Sequence, residues 1–175
     1  MAELEIHHEE EHELDSFGRG VGILAAVLAA CLALVTIASH RAHTRSIVVK
    51  ADANDKWEFY QAQRMKFHNL ELGEDLMTVV GSKTDEAAKT LDRYRSEKKR
   101  YDEQSQKAQD EAKALDAESE RIEGQAFRYD LGEGLLEISV VLSSLYFISR
   151  KRLFPAIGAA AGALGIVLAL SGLFV

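Results

Sequence analysis

Three apolar stretches, at residues 20–39, 131–149 and 153–175, constrain this 175-residue chain more than any other feature. Each has about 20 residues, the length that crosses a roughly 30 Å hydrocarbon layer at about 1.5 Å per helical residue. A charged segment, residues 40–130, separates the first from the second. The sequence therefore predicts an all-α integral membrane protein. Three transmembrane helices are expected, with a long extramembrane antiparallel helical hairpin, coiled-coil-like, between the first and second.

Charge is distributed unevenly along this layout. The tail, residues 1–19, holds seven acids and one base. Its low apolar content predicts a disordered acidic segment. Residues 40–130 carry nineteen acids and seventeen bases, interspersed as on a solvated helix surface. Nucleic-acid binding requires a one-sided basic face, which such a pattern does not supply. Cys31 is the only cysteine, so neither a disulfide framework nor metal-type cysteine spacing exists. The first span follows an acidic tail and runs a full 20 residues, unlike a secretory signal with its basic start and short apolar core, and is expected to stay as an anchor.

Small residues recur at four-residue spacing in two of the spans. In the first these are Ala25, Ala29 and Ala33, with Ala26 and Ala30; in the third, Gly158 and Gly162, with Ala161 and Gly165. Such stripes permit close helix approach in lipid, within a subunit or between subunits. Pro155 falls near the first turn of the third span, where a missing N–H costs nothing.

The second span is less apolar. Its uncharged part, residues 138–149, covers only 12 residues, about 18 Å of helix. A crossing helix must therefore include Glu137 and Glu133, which share a face at a spacing of four. Carboxylates at the edge of hydrocarbon are costly and are usually paired or functional. Thr36, Ser39, His40 and Arg41 lie at the same membrane face. Local bilayer thinning, a structural pair with Arg41 or His40, and a proton or ion site are all open readings.

From Ala87 onward one set of positions repeats at alternating steps of four and three, through Leu91, Tyr94, Lys98, Tyr101, Ser105, Ala108, Ala112, Leu115, Ser119, Ile122, Ala126 and Tyr129. This is a heptad register whose seam is rich in alanine and serine, suited to close packing against another helix. Upstream, residues 47–72 predict a second helix carrying Trp57, Phe59, Tyr60 and Phe67. Gly73 and Gly81 are expected to interrupt it, with Ser82 or Thr84 capping the next helix and the hairpin tip near residues 73–84. Two arms of similar length would return the chain to the same membrane face and stand about 60 to 70 Å off it.

Arg150, Lys151 and Arg152 form a basic turn that makes the second and third spans an antiparallel pair. Near-membrane bases number four on that side against five on the other, so the positive-inside rule does not choose. The density of the short loop favours placing it in the cytoplasm and the stalk outside.

Site chemistry is sparse. His7, His8 and His12 sit among tail glutamates; His8 and His12 would share a helical face able to hold a divalent ion, but a solvated acidic tail accounts for them more simply. The run Arg93, Arg95, Lys98, Lys99 and Arg100 is interleaved with acids and reads as a solvated face. No phosphate loop, nucleophile elbow or cofactor fingerprint is present, so no cofactor and no enzymatic activity are expected.

Residues 53–66, ANDKWEFYQAQRMK, resemble the signature of a bacterial family known as domain of unknown function 4337, with Trp57, Tyr60, Gln61 and Ala62 as its core. The resemblance extends to the whole layout of acidic tail, span, aromatic helix, charged helix and two closing spans. It implies a multi-pass bacterial membrane protein and supplies no activity, substrate or catalytic residue.

The functional expectation is a non-enzymatic scaffold in the bacterial inner membrane that self-associates and presents its stalk to organise the envelope or recruit a protein partner. The residues expected to pack the hairpin or form its interface are Trp57, Tyr60, Gln61, Phe67, Leu91, Tyr94, Tyr101, Leu115, Ile122 and Tyr129. The alternative is a small oligomeric channel or transporter component with Glu133 and Glu137 along a polar path.

Overall fold

A computed structural model describes residues 16–80 and 84–174. All elements among them are helical: α1 (Ser16–Val80), α2 (Asp85–Ser149) and α3 (Leu153–Ser171), followed by a 3-10 turn at Gly172–Phe174. Each of the three is long and apolar enough over part of its length to cross a membrane.

This corrects one expectation. The first two spans are not helices set apart from the arms of a hairpin; α1 and α2 each run unbroken for 65 residues. The only proline is Pro155, so nothing at the span boundaries removes a backbone donor. Gly73 does not interrupt α1 either. A Cβ at that position would lie 2.8 Å from the Tyr94 ring, so the glycine accommodates an aromatic side chain instead of ending the helix. Its propensity cost, about 1 kcal/mol relative to alanine, is too small to break a helix packed on both sides of it. Thr84 caps α2, its hydroxyl accepting from the Ala87 N–H at 3.3 Å. Gly81 and Ser82 lie outside the described residues.

The chain divides into two compact units, to both of which α1 and α2 contribute. Among the described residues, unit 1 comprises 16–39 with Phe127–Phe174, and unit 2 comprises 40–80 with 84–126.

In unit 2 the two helices are antiparallel, because ion-pair partners descend α2 as they ascend α1. Arg45 meets Glu118, Lys56 meets Glu111, Arg64 meets Asp102, and Glu74 meets Lys98 and Arg95. Between these flanking ion pairs runs a seam made mostly of small residues. On α1 it holds Ala42, Ser46, Val49 and Ala53; on α2, Ser105, Ala108, Ala112, Ser119, Ile122 and Ala126, all buried. Alternating steps of three and four keep such positions on one side of each helix. Side chains this small let backbones approach, and the Ser46 and Ser119 hydroxyls meet at 3.4 Å across the seam.

In unit 1 all three helices pack together. The Phe17 and Tyr146 rings stack edge to face at 5.1 Å, and Leu28 touches the position of Gly162. Along α3 the buried positions are Pro155, Gly158, Gly162, Gly165 and Ala169, facing Gly132, Ser139 and Ser143 of α2. The Ser139 hydroxyl donates to the Gly158 carbonyl at 2.6 Å. Arg150 closes α2 with φ of 56°, its N–H bonding the Tyr146 carbonyl at 2.8 Å. A left-handed residue is the usual stop for a helix, although glycine normally supplies it.

Candidate functional site

Two groups of polar side chains stand out, one in each unit. In unit 2 the centre is Trp57, on α1 four residues beyond the buried Ala53. Its indole N–H donates to Asp116 Oδ2 at 2.8 Å, while Lys50 reaches Oδ1 of the same carboxylate at 3.4 Å. The Tyr60 ring packs edge to face on Trp57, 5.7 Å between centroids. These two donors, the indole first, hold the Asp116 carboxyl below the usual carboxylate range. Lys56 does the same for Glu111. Nearer the α1–α2 junction, Lys98 first and Arg95 second depress the Glu74 carboxyl, which in turn raises both bases. Phe67 lies between two cations, with Arg64 at 4.7 Å and Lys98 at 5.8 Å from its centroid.

In unit 1 a row of hydroxyl–carboxylate pairs joins α1 to α2. Thr36 donates to Glu133 at 2.7 Å, and Ser39 to Asp130 at 2.5 Å. Glu133 is half-buried, Ser39 is buried and Glu137 is exposed. The donors in this row are neutral hydroxyls, whereas those across unit 2 include the cations Arg45, Lys56, Arg64, Arg95 and Lys98.

The residues singled out from the sequence are distributed as follows. Trp57, Tyr60, Phe67, Leu91, Tyr94, Tyr101 and Leu115 are half-buried in unit 2, where Ile122 is fully buried. Gln61 is exposed, whereas its near neighbour Gln63 is buried, with its Oε1 unpartnered. In unit 1, Tyr129, Gly158, Gly162 and Gly165 are buried, Ala25 is half-buried and Ala29 is exposed. His40 and Arg41 are exposed in unit 2 and line a shallow groove with Thr44, Arg45 and Val48. His7, His8 and His12 lie outside the described residues. Among the described residues no three His, Cys, Asp or Glu side chains gather as a metal would require.

Several participants are not among the residues the sequence singles out, and three of them show why. Asp116 offers no sequence signal, because it is one of many acids on a charged helix. Gly132 sits opposite Gly165 and is visible only once α2 and α3 are placed. The small-residue seam of α1 did leave a signal, the three–four steps from Ser39 through Ala42, Ser46 and Val49 to Ala53.

Residues 17–175 match the model of the domain of unknown function family DUF4337, and the chain belongs to that family. No curated protein and no solved structure is similar to it.

Proposed function

We propose that this protein is a non-enzymatic, self-assembling scaffold of the bacterial inner membrane, anchored by unit 1, whose unit 2 organises the envelope or recruits a partner. In this reading residues 20–39, 131–149 and 153–175 cross the bilayer, and the charged pair of helices lies outside the hydrocarbon. The basic turn at Arg150, Lys151 and Arg152 faces the cytoplasm, and unit 2 the opposite side.

One observation carries the self-assembly. On α1, Met65, Leu72, Leu76 and Val79 are exposed, Val79 by 83% and Met65 by 67%. They recur at helical spacing about half a turn away from the buried and half-buried positions Gln63, Phe67, Leu70 and Met77. Large apolar side chains in a row on a solvated helix mark an interaction surface, and a second copy of the chain offers the same row in return. Cysteine cross-linking in native membranes tests this. In a Cys31→Ser background, Leu72→Cys is expected to form a disulfide-linked dimer, and Lys99→Cys, on an exposed charged face, is not. Absence of any Leu72→Cys dimer contradicts the assignment of this face.

The Thr36–Glu133 and Ser39–Asp130 pairs favour a second reading, an oligomeric channel or transporter component in which Glu133 and Glu137 line a polar path. Glu137→Gln should then abolish ion flux in reconstituted vesicles while leaving assembly intact. No flux from the parent protein removes this reading.

A further inference from the structure

One end of unit 1 carries a groove whose lining is both apolar and cationic. Its volume is about 520 Å3, within the range of about 300–1,000 Å3 typical of small-molecule sites. Phe17, Gly20, Val21 and Leu24 of α1 form one side, Pro155 and Ala156 of α3 the other, with Ser16 and Arg152 as the polar members. The Arg152 guanidinium lies over the Phe17 ring, 4.8 Å from its centroid, so a full charge is held against the apolar wall. Arg150 and Lys151 are exposed immediately before Arg152, and Arg19 is exposed on the first turn of α1.

The charge at this end is one-sided among the described residues of unit 1. Their acids are Asp130, Glu133 and Glu137, and Glu137 lies 13 residues along α2 from Arg150, about 20 Å of helix. Arg150 also keeps its cation at a left-handed backbone position that glycine would adopt more easily.

A soluble anion would make no use of the apolar walls, and a zwitterionic lipid would leave the cations uncompensated. An amphiphile with an anionic head satisfies both, and basic pockets between membrane helices suit such headgroups. We propose that this groove binds one anionic phospholipid, its phosphate held by Arg152, with Arg19, Arg150 and Lys151 adding positive charge. An acyl chain lies along Phe17, Gly20, Val21 and Ala156. The proposal rests on the reading that unit 1 crosses a bilayer.

The test is native mass spectrometry of the full chain in detergent, with phosphatidylglycerol, phosphatidylcholine of the same acyl chains, and glycerol 3-phosphate as probes. Phosphatidylglycerol is expected to be retained about tenfold over phosphatidylcholine, and Arg152→Gln to lower that preference about fivefold. Glycerol 3-phosphate, lacking acyl chains, should not be retained. Gly20→Leu provides an independent check. No atom lies within 4 Å of a Cβ at Gly20, so leucine enters the groove without displacing the backbone. It is expected to reduce phosphatidylglycerol retention with circular dichroism unchanged.

Equal retention of the two lipids, or retention unaffected by both substitutions, overturns the proposal. So does equal retention of glycerol 3-phosphate, which assigns the cations to soluble anions. Retention that appears only after deletion of residues 1–15, which hold seven acids, also overturns it, because the site would then belong to the chain's own tail. If the protein is recovered from cells without detergent, the membrane reading falls along with this proposal. If detergent is required but no lipid preference appears, only this proposal falls.

Discussion

Gly132 of α2 and Gly165 of α3 meet backbone to backbone: a Cβ on Gly132 would lie 2.7 Å from the Gly165 carbonyl oxygen, and one on Gly165 would lie 2.8 Å from that of Gly132. Neither position can accept a methyl group unless a helix moves. Gly132→Ala and Gly165→Ala are each expected to lower stability by about 1–3 kcal/mol, the usual cost of overpacking. Gly134→Ala is the control. A Cβ there meets nothing within 4 Å, and the substitution should raise stability by up to about 1 kcal/mol through helix propensity. Thermal unfolding in detergent, followed by circular dichroism, measures all three.

Gln63 is 4% exposed, and its Oε1 has no hydrogen-bond partner among the described residues. An unsatisfied buried amide oxygen costs about 1–3 kcal/mol, which a thioether of similar length avoids. Gln63→Met is therefore expected to raise the unfolding temperature. A lower unfolding temperature would show that the amide is satisfied and belongs to the seam's specificity.

Acid should loosen unit 2. The carboxyls of Glu74, Glu111 and Asp116 are each held below their ordinary values, by Lys98, Lys56 and the Trp57 indole respectively. A depressed carboxyl adds stability that is complete above the ordinary carboxylate range, near pH 4 and higher, and that disappears as pH falls through the depressed value. The unfolding temperature is thus expected to drop below about pH 4. Trp57→Phe and Glu74→Gln should each flatten part of that dependence. Added salt should weaken it, because these groups are near the surface.

Arg128 donates to the Ser171 carbonyl at 3.1 Å, placing a cation on the last turn of α3. A positive charge at a helix C-terminus stabilises it by about 0.3–1 kcal/mol. Arg128→Ala should cost about that much, Arg128→Lys less, and amide exchange near residues 168–171 should rise in the alanine variant.

The helical class and the family are both legible in the sequence, for identifiable reasons. Residues 20–39 carry no charge, and hydropathy alone marks such a stretch. In the Trp57, Tyr60, Gln61 and Ala62 signature, the two aromatic side chains stand out from their charged neighbours. Along α2 the three–four steps fall on half-buried or buried positions, because Ile122, Tyr129 and a run of alanines punctuate a charged background. The same periodicity on α1 is faint in the sequence because Ser39, Ala42, Ser46 and Ala53 are small, and small residues carry little hydropathy contrast. Gly73 differs from its sequence expectation for a related reason. From sequence a glycine signals a break, yet here it makes room for Tyr94, a contact 21 residues away. The unbroken α1 and α2 follow from an absence, since no proline or stop signal separates apolar from charged segments.

The central claim, self-assembly in the membrane, is tested most directly by the mass of the particle extracted into nanodiscs, with lipid mass subtracted. A discrete multiple of the 19.4 kDa chain is expected, returning to a single chain when Leu72 and Val79 are both changed to lysine. A monomer in the parent protein would contradict the account and leave the exposed row on α1 to a different partner.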